Sequence, residues 1–253
     1  MPDATKLLDA TNVSKKFGEF HAVAGADLSV GEGEIIGLIG PNGAGKSTFF
    51  NCLAGEITPT TGRIVFNGED VTRASPEAHA RAGIGRTFQV PTTFEDMTVI
   101  HNVMVGAFLR HPHRNDARDR ARQIVEMTGL RADQPARALG TPGRKRLEIA
   151  RVLAIEPRLL LLDESLAGLT PAELREAIAL VRRIHENGVT IVIVEHIMEV
   201  IMTLTSHVLV FNQGHVIASG TPSAVMREPA VIEAYLGRSH RPRQDGAAYN
   251  NAP

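Results

Sequence analysis

The sequence has 253 residues, with 27 Lys and Arg against 28 Asp and Glu, so its formal net charge is −1. A chain of this length can bury one large α/β core that carries an inserted subdomain. The balanced charge argues against nucleic acid or anionic lipid as the main partner, and we expect no nucleic-acid partner. The single cysteine, Cys52, excludes an intramolecular disulfide framework and a clustered-thiolate metal site.

Neither the N-terminus nor the apolar runs predict export or a membrane span. The opening MPDATKLLDA lacks the basic and apolar regions of a secretory signal. The most apolar runs, residues 159–162 and 189–194, are far shorter than the roughly 20 residues that a helix needs to cross a bilayer. We therefore expect any association with a membrane to be made through another protein.

The first third of the chain alternates strand-like runs with turns. Strands are predicted over residues 8–13, 21–30, 34–39 and 63–67, and we expect them to form a mixed sheet. The apolar run 35–39 ends in a glycine-rich loop, after which KSTFFNCLAG predicts a helix. Strand, loop and helix thus follow in order.

The remainder of the chain predicts a helical insertion and then the return of the sheet. Residues 97–151 are Arg-rich with helical spacing, and HPHRNDARDR within them is predicted to be a polar connector. Apolar runs at 158–162 and 188–194 predict strands buried on both faces. Between them we expect a helix over Pro171–Glu186, with Thr170 as its N-cap. The hairpin-like VLVFNQGHVIASG follows, and the polar end of the chain is predicted to be disordered.

The glycine-rich loop matches the phosphate-loop pattern in full. It consists of Gly40, Pro41, Asn42, Gly43, Ala44, Gly45, Lys46, Ser47 and Thr48. The glycines allow successive backbone N–H groups to surround phosphates, and the helix N-terminus adds the positive end of its dipole. Lys46 would reach the β- and γ-phosphates of a nucleotide, and Ser47 would ligate Mg²⁺. The alternative is a glycine-rich turn with an incidental Lys.

Two carboxylates follow the apolar run at residues 159–162. They stand at the carboxyl end of a predicted strand, where ligands of open α/β sheets bind. Asp163 would hold Mg²⁺ directly or through water, while Glu164 would position and polarise the attacking water. Such a run is often only a strand that enters a loop, but the phosphate loop earlier in the chain favours the functional interpretation.

Two further polar residues follow predicted strands. His196 comes after the apolar run that ends at Val194, and we expect it to contact the γ-phosphate rather than fill a structural role. Gln89 closes a strand just before the helical segment. From there it would contact Mg²⁺ or the attacking water and sense the helical subdomain.

In their order and spacing, GPNGAGKST, the Gln loop, LLLLDE and VIVEH resemble the nucleotide-binding subunits of ABC transporters over roughly residues 7–237. The resemblance implies an α/β, P-loop NTPase (RecA-like) core with an antiparallel β subdomain, residues 7–89 and 152–237. It also implies an inserted α-helical subdomain, residues 90–151, before a tail at 238–253. The implied ligands are ATP and Mg²⁺, with Phe17 stacking on adenine. Residues 166–169 resemble the dimer-contacting loop of the family.

Several segments more narrowly resemble the ATPases of branched-chain amino acid importers, and urea and amide uptake systems have similar subunits. The segments are Arg-Thr-Phe-Gln at 86–89, Met-Thr-Val at 97–99, residues 146–151 and Glu-Ala-Tyr-Leu-Gly at 233–237. The resemblance implies an ATP-hydrolysing importer subunit, peripheral at the cytoplasmic face of the inner membrane. Its implied partners are a second ABC ATPase subunit (the same chain or a paralogue), two membrane permeases and an external solute-binding protein.

One segment departs from the family. The family's signature reads Leu-Ser-Gly-Gly-Gln, whereas Leu139 is followed here by Gly140, Thr141, Pro142 and Gly143. In the family's dimer this segment donates a Ser hydroxyl and backbone N–H groups to the nucleotide of the opposite subunit. Gly140 has no hydroxyl and Pro142 has no N–H, although Thr141 and the helix N-terminus remain. An alternative function is therefore an ATP-gated regulatory or low-turnover subunit paired with an active paralogue.

Overall fold

The computed structural model describes residues 6–88 and 92–236, with only the backbone of Leu236. Gln89 and the predicted tail at 238–253 lie outside the described residues. The strands are β1 (Lys6–Phe17), β2 (Phe20–Gly31), β3 (Ile35–Ile39), β4 (Thr61–Phe66), β5 (Glu69–Asp70), β6 (Ile84–Arg86), β7 (Leu159–Asp163), β8 (Thr190–Val194), β9 (His207–Asn212) and β10 (His215–Gly220).

The helices follow the same order along the chain. They are α1 (Lys46–Leu53), α2 (Pro76–Ala82), α3 (Val99–Ala107), α4 (Arg114–Thr128), α5 (Thr141–Leu153), α6 (Pro171–Glu186), α7 (Met198–Leu204), α8 (Pro222–Val225) and α9 (Pro229–Leu236), with a 3₁₀ turn at Ala136–Ala138. Among the described residues, no helix combines the length and apolarity needed to cross a membrane.

The strands form two sheets, so the single mixed sheet predicted for the first third of the chain is wrong. One sheet is antiparallel, in the order β2-β1-β4-β5. The other has the order β10-β9-β3-β8-β7-β6, in which only the β9–β10 pair is antiparallel. β3 leaves its sequence neighbours because all five of its residues are buried, whereas β1 and β2 have exposed positions. The α/β fold with a separate antiparallel sheet is confirmed.

The central strands are buried on both faces, which explains their continuous apolar sequences. In β7, Leu159 and Leu161 belong to the core cluster shared with the antiparallel sheet and α1. Leu160 and Leu162 belong to the cluster on the opposite face, which includes residues of α6 and α7. Successive side chains of a strand point to opposite faces, so one apolar run serves two cores.

Helix α4 corrects the sequence prediction of a polar connector over HPHRNDARDR. The helix begins at Arg114 and includes most of that segment. Ala117, Ala121, Ile124 and Val125 are buried, and their spacing of three to four residues forms one apolar stripe against α3 and α5. The charged side chains lie on the opposite face of α4. They outnumber the buried apolar residues, so the apolar spacing is difficult to recognise in the sequence.

Helix α6 has the predicted bounds, and its N-terminus is held by a reciprocal capping box. The Thr170 hydroxyl accepts the Glu173 backbone N–H at 3.4 Å, and the Glu173 carboxylate accepts the Thr170 backbone N–H at 2.8 Å. The cap fixes where the chain enters α6 after the loop that follows β7.

Replacing Thr170 with Ala removes the hydroxyl from this cap, and we expect the free energy of unfolding to fall by about 1 kcal/mol. Thr170→Ser is the matched control, because it retains the oxygen and is expected to stay close to the parent. Urea denaturation of the three proteins measures the difference. Equal destabilisation by Ala and Ser would contradict a role for the hydroxyl.

Candidate functional site

The phosphate-loop segment, the Asp163–Glu164 pair and His196 lie along one edge of the six-stranded sheet. β3, β8, β7 and β6 are neighbours and run parallel, so the segments that follow them emerge at the same edge. The phosphate-loop segment follows β3, Asp163 ends β7 and His196 follows β8. Gln89 follows β6 but lies outside the described residues.

Close packing explains two glycines of the phosphate-loop segment. Gly40 and Gly45 have φ values of 144° and 103°, which L side chains rarely adopt. A Cβ on Gly40 would lie 2.1 Å from the Phe211 carbonyl oxygen, and one on Gly45 would lie 2.3 Å from the Ala22 carbonyl oxygen. The loop is therefore held between β9 of one sheet and β2 of the other.

Lys46 is the first residue of α1 and is buried. Its ammonium group donates to the carbonyl oxygens of Gly40 at 2.7 Å and Pro41 at 2.9 Å. Burial lowers the pKa of Lys46, while the carboxylates of Glu164 and Asp163 act in the opposite direction. The ammonium thus lies within the loop and within electrostatic reach of both carboxylates, while Ser47 next to it is exposed.

Asp163 is a buried carboxylate at the end of β7. Its backbone N–H donates to the Thr87 hydroxyl at 3.2 Å, and its Oδ2 accepts from Arg86 Nη2 at 3.4 Å. Burial raises the pKa of Asp163, the Arg86 guanidinium lowers it, and the neighbouring Glu164 raises it again. Asp163 is thus held in place by the β6 end of the sheet.

Glu164 has an unusual backbone conformation, with a φ of 43°. Its backbone N–H donates to the Val194 carbonyl at 2.9 Å, which ties the residue to the end of β8. Non-glycine residues in the left-handed region store about 1–3 kcal/mol of strain and cluster at functional sites. The conformation turns the chain away from the β7 direction immediately after Asp163.

Two buried charged residues that sequence reasoning missed hold the loop after Glu164. Glu195 Oε1 accepts the Leu166 backbone N–H at 2.9 Å, and burial raises the pKa of Glu195. Lys145, from α5, donates to the Ala167 carbonyl at 2.7 Å. Glu195 follows an apolar strand as Asp163 does, so the pattern could have revealed it. The sequence pattern around Lys145 carries no such signal.

The two remaining predicted contacts are exposed. His196 follows Glu195 at the carboxyl end of β8. Phe17 ends β1 with 49% of its surface exposed, and the Lys15 ammonium lies 5.3 Å from its ring centroid. β2, which is paired to β1, contacts the phosphate loop through Ala22, so the aromatic ring lies on the strand pair that borders the loop.

The signature-like segment forms the start of α5. Gly140 is the N-cap without a side-chain hydrogen bond, Thr141 is the first helical residue, and Pro142 is the second. A Cβ on Gly140 would meet only Pro142 Cδ, at 3.9 Å. A Cβ on Gly143 would lie 3.0 Å from Leu139 Cδ2. The segment therefore has space for a side chain at the first of these glycines but not readily at the second.

A cavity of about 280 Å³ lies where the core meets the helices α3 and α5. Its lining includes Glu56, Arg86, Phe88, Val105, Glu148 and Arg151. Glu148 is buried and accepts the Phe88 backbone N–H at 2.7 Å. Burial raises the pKa of Glu148, and the Phe88 N–H and the Arg151 guanidinium lower it. Arg86 reaches both this cavity and Asp163, so the cavity adjoins the carboxylate edge.

Comparisons with known proteins agree with this geometry. The family profile described as ABC transporter matches residues 23–167, and that described as branched-chain amino acid ATP-binding cassette transporter matches residues 215–241. A solved nucleotide-free ATP-binding cassette from an ABC transporter aligns with a TM-score of 0.84 at 30% identity, covering 92% of this chain and 100% of that one. A cassette in its ADP conformation aligns with the same score and identity, covering 92% and 99%.

Curated relatives align over nearly their whole lengths. The high-affinity branched-chain amino acid transport ATP-binding protein BraF of Pseudomonas aeruginosa is 37% identical, covering 92% of this chain and 98% of that protein. LivG of Escherichia coli K12, described in the same words, is 38% identical with the same coverage. The chain therefore belongs to the ABC transporter family, as an ATP-binding protein of the branched-chain amino acid transporter type.

Proposed function

We propose that this chain hydrolyses MgATP to drive uptake of branched-chain amino acids through a membrane permease. The observation that carries the proposal is the position of Lys46. Its buried ammonium lies inside a complete phosphate loop and within electrostatic reach of Asp163 and Glu164. A cation, backbone donors and two carboxylates at one sheet edge suit phosphoryl chemistry, in which positioning and electrostatic stabilisation dominate catalysis.

The residues at this edge fit a magnesium nucleotide. Lys46 would contact the β- and γ-phosphates, and the Ser47 hydroxyl and Asp163 carboxylate would hold Mg²⁺. Among the described residues no group of three or more His, Cys, Asp or Glu side chains could hold a metal ion. Mg²⁺ does not need one, because it is commonly bound by one or two carboxylates together with substrate phosphates. When bound, Mg²⁺ neutralises charge on the phosphate oxygens.

The remaining residues have distinct proposed roles. Glu164 orients and polarises the attacking water, and His196 contacts the γ-phosphate from the end of the neighbouring strand. Phe17 stacks on adenine, for which its exposed ring is suited. Gln89, which follows the cavity residue Phe88, contacts Mg²⁺ or the attacking water. These assignments place the chemistry on the carboxyl ends of four adjacent strands.

The partners follow from the same proposal. The chain would pair with a second ABC ATPase subunit, bind two permeases at the cytoplasmic face of the inner membrane, and act with an external solute-binding protein. The cavity beside α3 and α5 suits a permease segment, because exposed Phe88 and Val105 offer apolar contact beside the charges of Glu56 and Arg151. Occupation of this cavity would place the permease next to Phe88, whose backbone is bonded to Glu148.

Branched-chain amino acids are the proposed solute because they appear in the descriptions of BraF and LivG. Loss of this chain should abolish saturable, ATP-dependent uptake of labelled leucine in the native cell, and the parent chain should restore it. Thr170→Ser, which is expected to keep the stability of the parent, serves as the active control. Unchanged leucine, isoleucine and valine uptake, with loss of a different solute such as urea or an amide, would contradict the substrate assignment.

Glu164→Gln should stop turnover while ATP binding persists, because the amide keeps the shape but loses the carboxylate that orients water. We expect a fall in ATPase activity of the assembled transporter of at least about a hundredfold, the scale of general acid–base effects. The same variant should retain ATP in a stable dimer, measured by gel filtration. Parent-like ATPase activity would remove Glu164 from the catalytic step.

The altered signature predicts a weakened contact with the partner's nucleotide. A hydrogen bond to a charged group contributes about 1.5–3 kcal/mol, which corresponds to roughly ten- to a hundredfold in rate. Gly140→Ser should therefore raise ATPase activity several-fold, because it adds a hydroxyl where there is space for a Cβ. Gly140→Ala is the matched control, since it adds the Cβ without the hydroxyl.

Equal effects of Ser and Ala at this position would contradict the missing-hydroxyl explanation. Full conversion to the family signature is a less clean test, because Gln at position 143 would press on Leu139. The consequence for the dimer depends on the partner. A homodimer would have two slow sites, whereas a paralogue with the complete signature would make the site built on Lys46 and Glu164 the faster one.

A further inference from the structure

We propose that Arg86 is a positioning residue whose ion pair with Asp163 competes with Mg²⁺ for the Asp163 carboxylate. Phe88, in the wall of the cavity, sets the position of Arg86. The inference rests on the proposed function, because it assigns Mg²⁺ to Asp163. The observation behind it is that one guanidinium contacts both the cavity and the carboxylate.

The carboxylate end of this contact is a shielded ion pair. Arg86 Nη2 lies 3.4 Å from Asp163 Oδ2, and the two side chains are only 14% and 8% exposed. Glu56 Oε1 is 4.0 Å from Arg86 Nη1, and the Glu56 side chain is more exposed than that of Asp163. Attraction between charges strengthens as water is excluded, so the Asp163 pair is the stronger of the two contacts.

On the cavity side, the Arg86 guanidinium lies over two aromatic rings. The Arg86 guanidinium lies 4.9 Å from the ring centroid of Phe88 and 5.6 Å from that of Phe50. Phe50 is fully buried in the core, whereas Phe88 is 45% exposed and lines the cavity. Of the two rings that guide Arg86, Phe88 is therefore the one that a molecule in the cavity can touch.

The same guanidinium opposes a metal ion at Asp163. A cation bound to the carboxylate must approach Arg86, and like charges repel more strongly where water is excluded. Arg86 thus stabilises the ionised Asp163 without metal and competes with Mg²⁺ for its oxygens. A displacement of Phe88 by an occupant of the cavity would loosen Arg86 and release the carboxylate to Mg²⁺.

A neighbouring pair supplies a matched comparison. Arg151 lies over the ring of Phe94 at 4.7 Å, and Phe94 is 43% exposed, close to the exposure of Phe88. Arg151 donates to the Thr92 carbonyl and has Glu148 as its neighbouring carboxylate. An Arg–Phe pair of the same chemistry therefore lies nearby, and within the described part of the chain its arginine contacts Thr92 and interacts electrostatically with Glu148, whereas Arg86 contacts Asp163.

The test measures ATP binding to the full-length chain by titration calorimetry at a series of Mg²⁺ concentrations, including none. Arg86→Met keeps an unbranched side chain beside the two rings but removes the charge. ATP affinity is expected to increase with Mg²⁺, and the Mg²⁺ concentration that gives half of this increase is the Mg²⁺ midpoint. We expect the midpoint of Arg86→Met to be at least threefold lower than that of the parent. Arg86→Lys restores a cation but not the planar group that stacks on the rings, so its midpoint is expected to lie between those of Arg86→Met and the parent.

Phe88→Ala should lower the Mg²⁺ midpoint in the same direction as Arg86→Met, and Phe94→Ala should leave it at the parental value. An unchanged or higher midpoint in Arg86→Met, with metal-free ATP binding intact, would overturn the proposal. So would equal shifts in the two Phe variants. If Arg86→Met does not fold, the two Phe variants decide the question. A parent chain that binds no ATP at any Mg²⁺ concentration would instead contradict the proposed function itself.

Discussion

The site depends on the placement of one buried cation, the ammonium of Lys46, between the carbonyl groups of the phosphate-loop segment and two carboxylates. Burial disfavours the charged form of Lys46, and the Gly40 and Pro41 carbonyls and the Asp163 and Glu164 carboxylates stabilise it. That balance requires the loop to turn back on its own helix. The turn requires a glycine at position 40, because a Cβ there would clash with the Phe211 carbonyl oxygen.

The parallel strands of the core sheet bring Lys46 and the carboxylates to the same edge. β7 and β8 are apolar on both faces, so they pack between two cores and leave polar groups only at their ends. Asp163 and Glu195 are both buried carboxylates at those ends, yet they have different contacts. Asp163 meets Arg86, whereas Glu195 accepts the Leu166 backbone N–H and holds the following loop. Of these two carboxylates on neighbouring strands, Asp163 is the one that we propose for Mg²⁺ binding, whereas Glu195 holds the following loop.

Much of this arrangement could be predicted from sequence because it depends on local patterns. The phosphate loop, the two buried strands and the bounds of α6 are encoded by glycines, apolar runs and a capping box. The prediction of one mixed sheet fails at β3, because a five-residue apolar run does not specify its neighbouring strands. The sequence predicts a polar connector where α4 begins, because charged residues outnumber the narrow apolar stripe of this helix. The ion pair of Arg86 could not be predicted, since Asp163 and Phe50, which it contacts, lie far from it in the chain.

The central claim is that Lys46 organises a nucleotide site, and titration of the purified chain with MgATP tests it most directly. The parent should bind, Lys46→Ala should bind at least about tenfold more weakly, and Lys6→Ala should match the parent as a surface-charge control. Such a loss corresponds to about 1.4 kcal/mol or more, within the range of a charge-assisted hydrogen bond. Binding by Lys46→Ala within about threefold of the parent, a difference below 1 kcal/mol, would contradict the account.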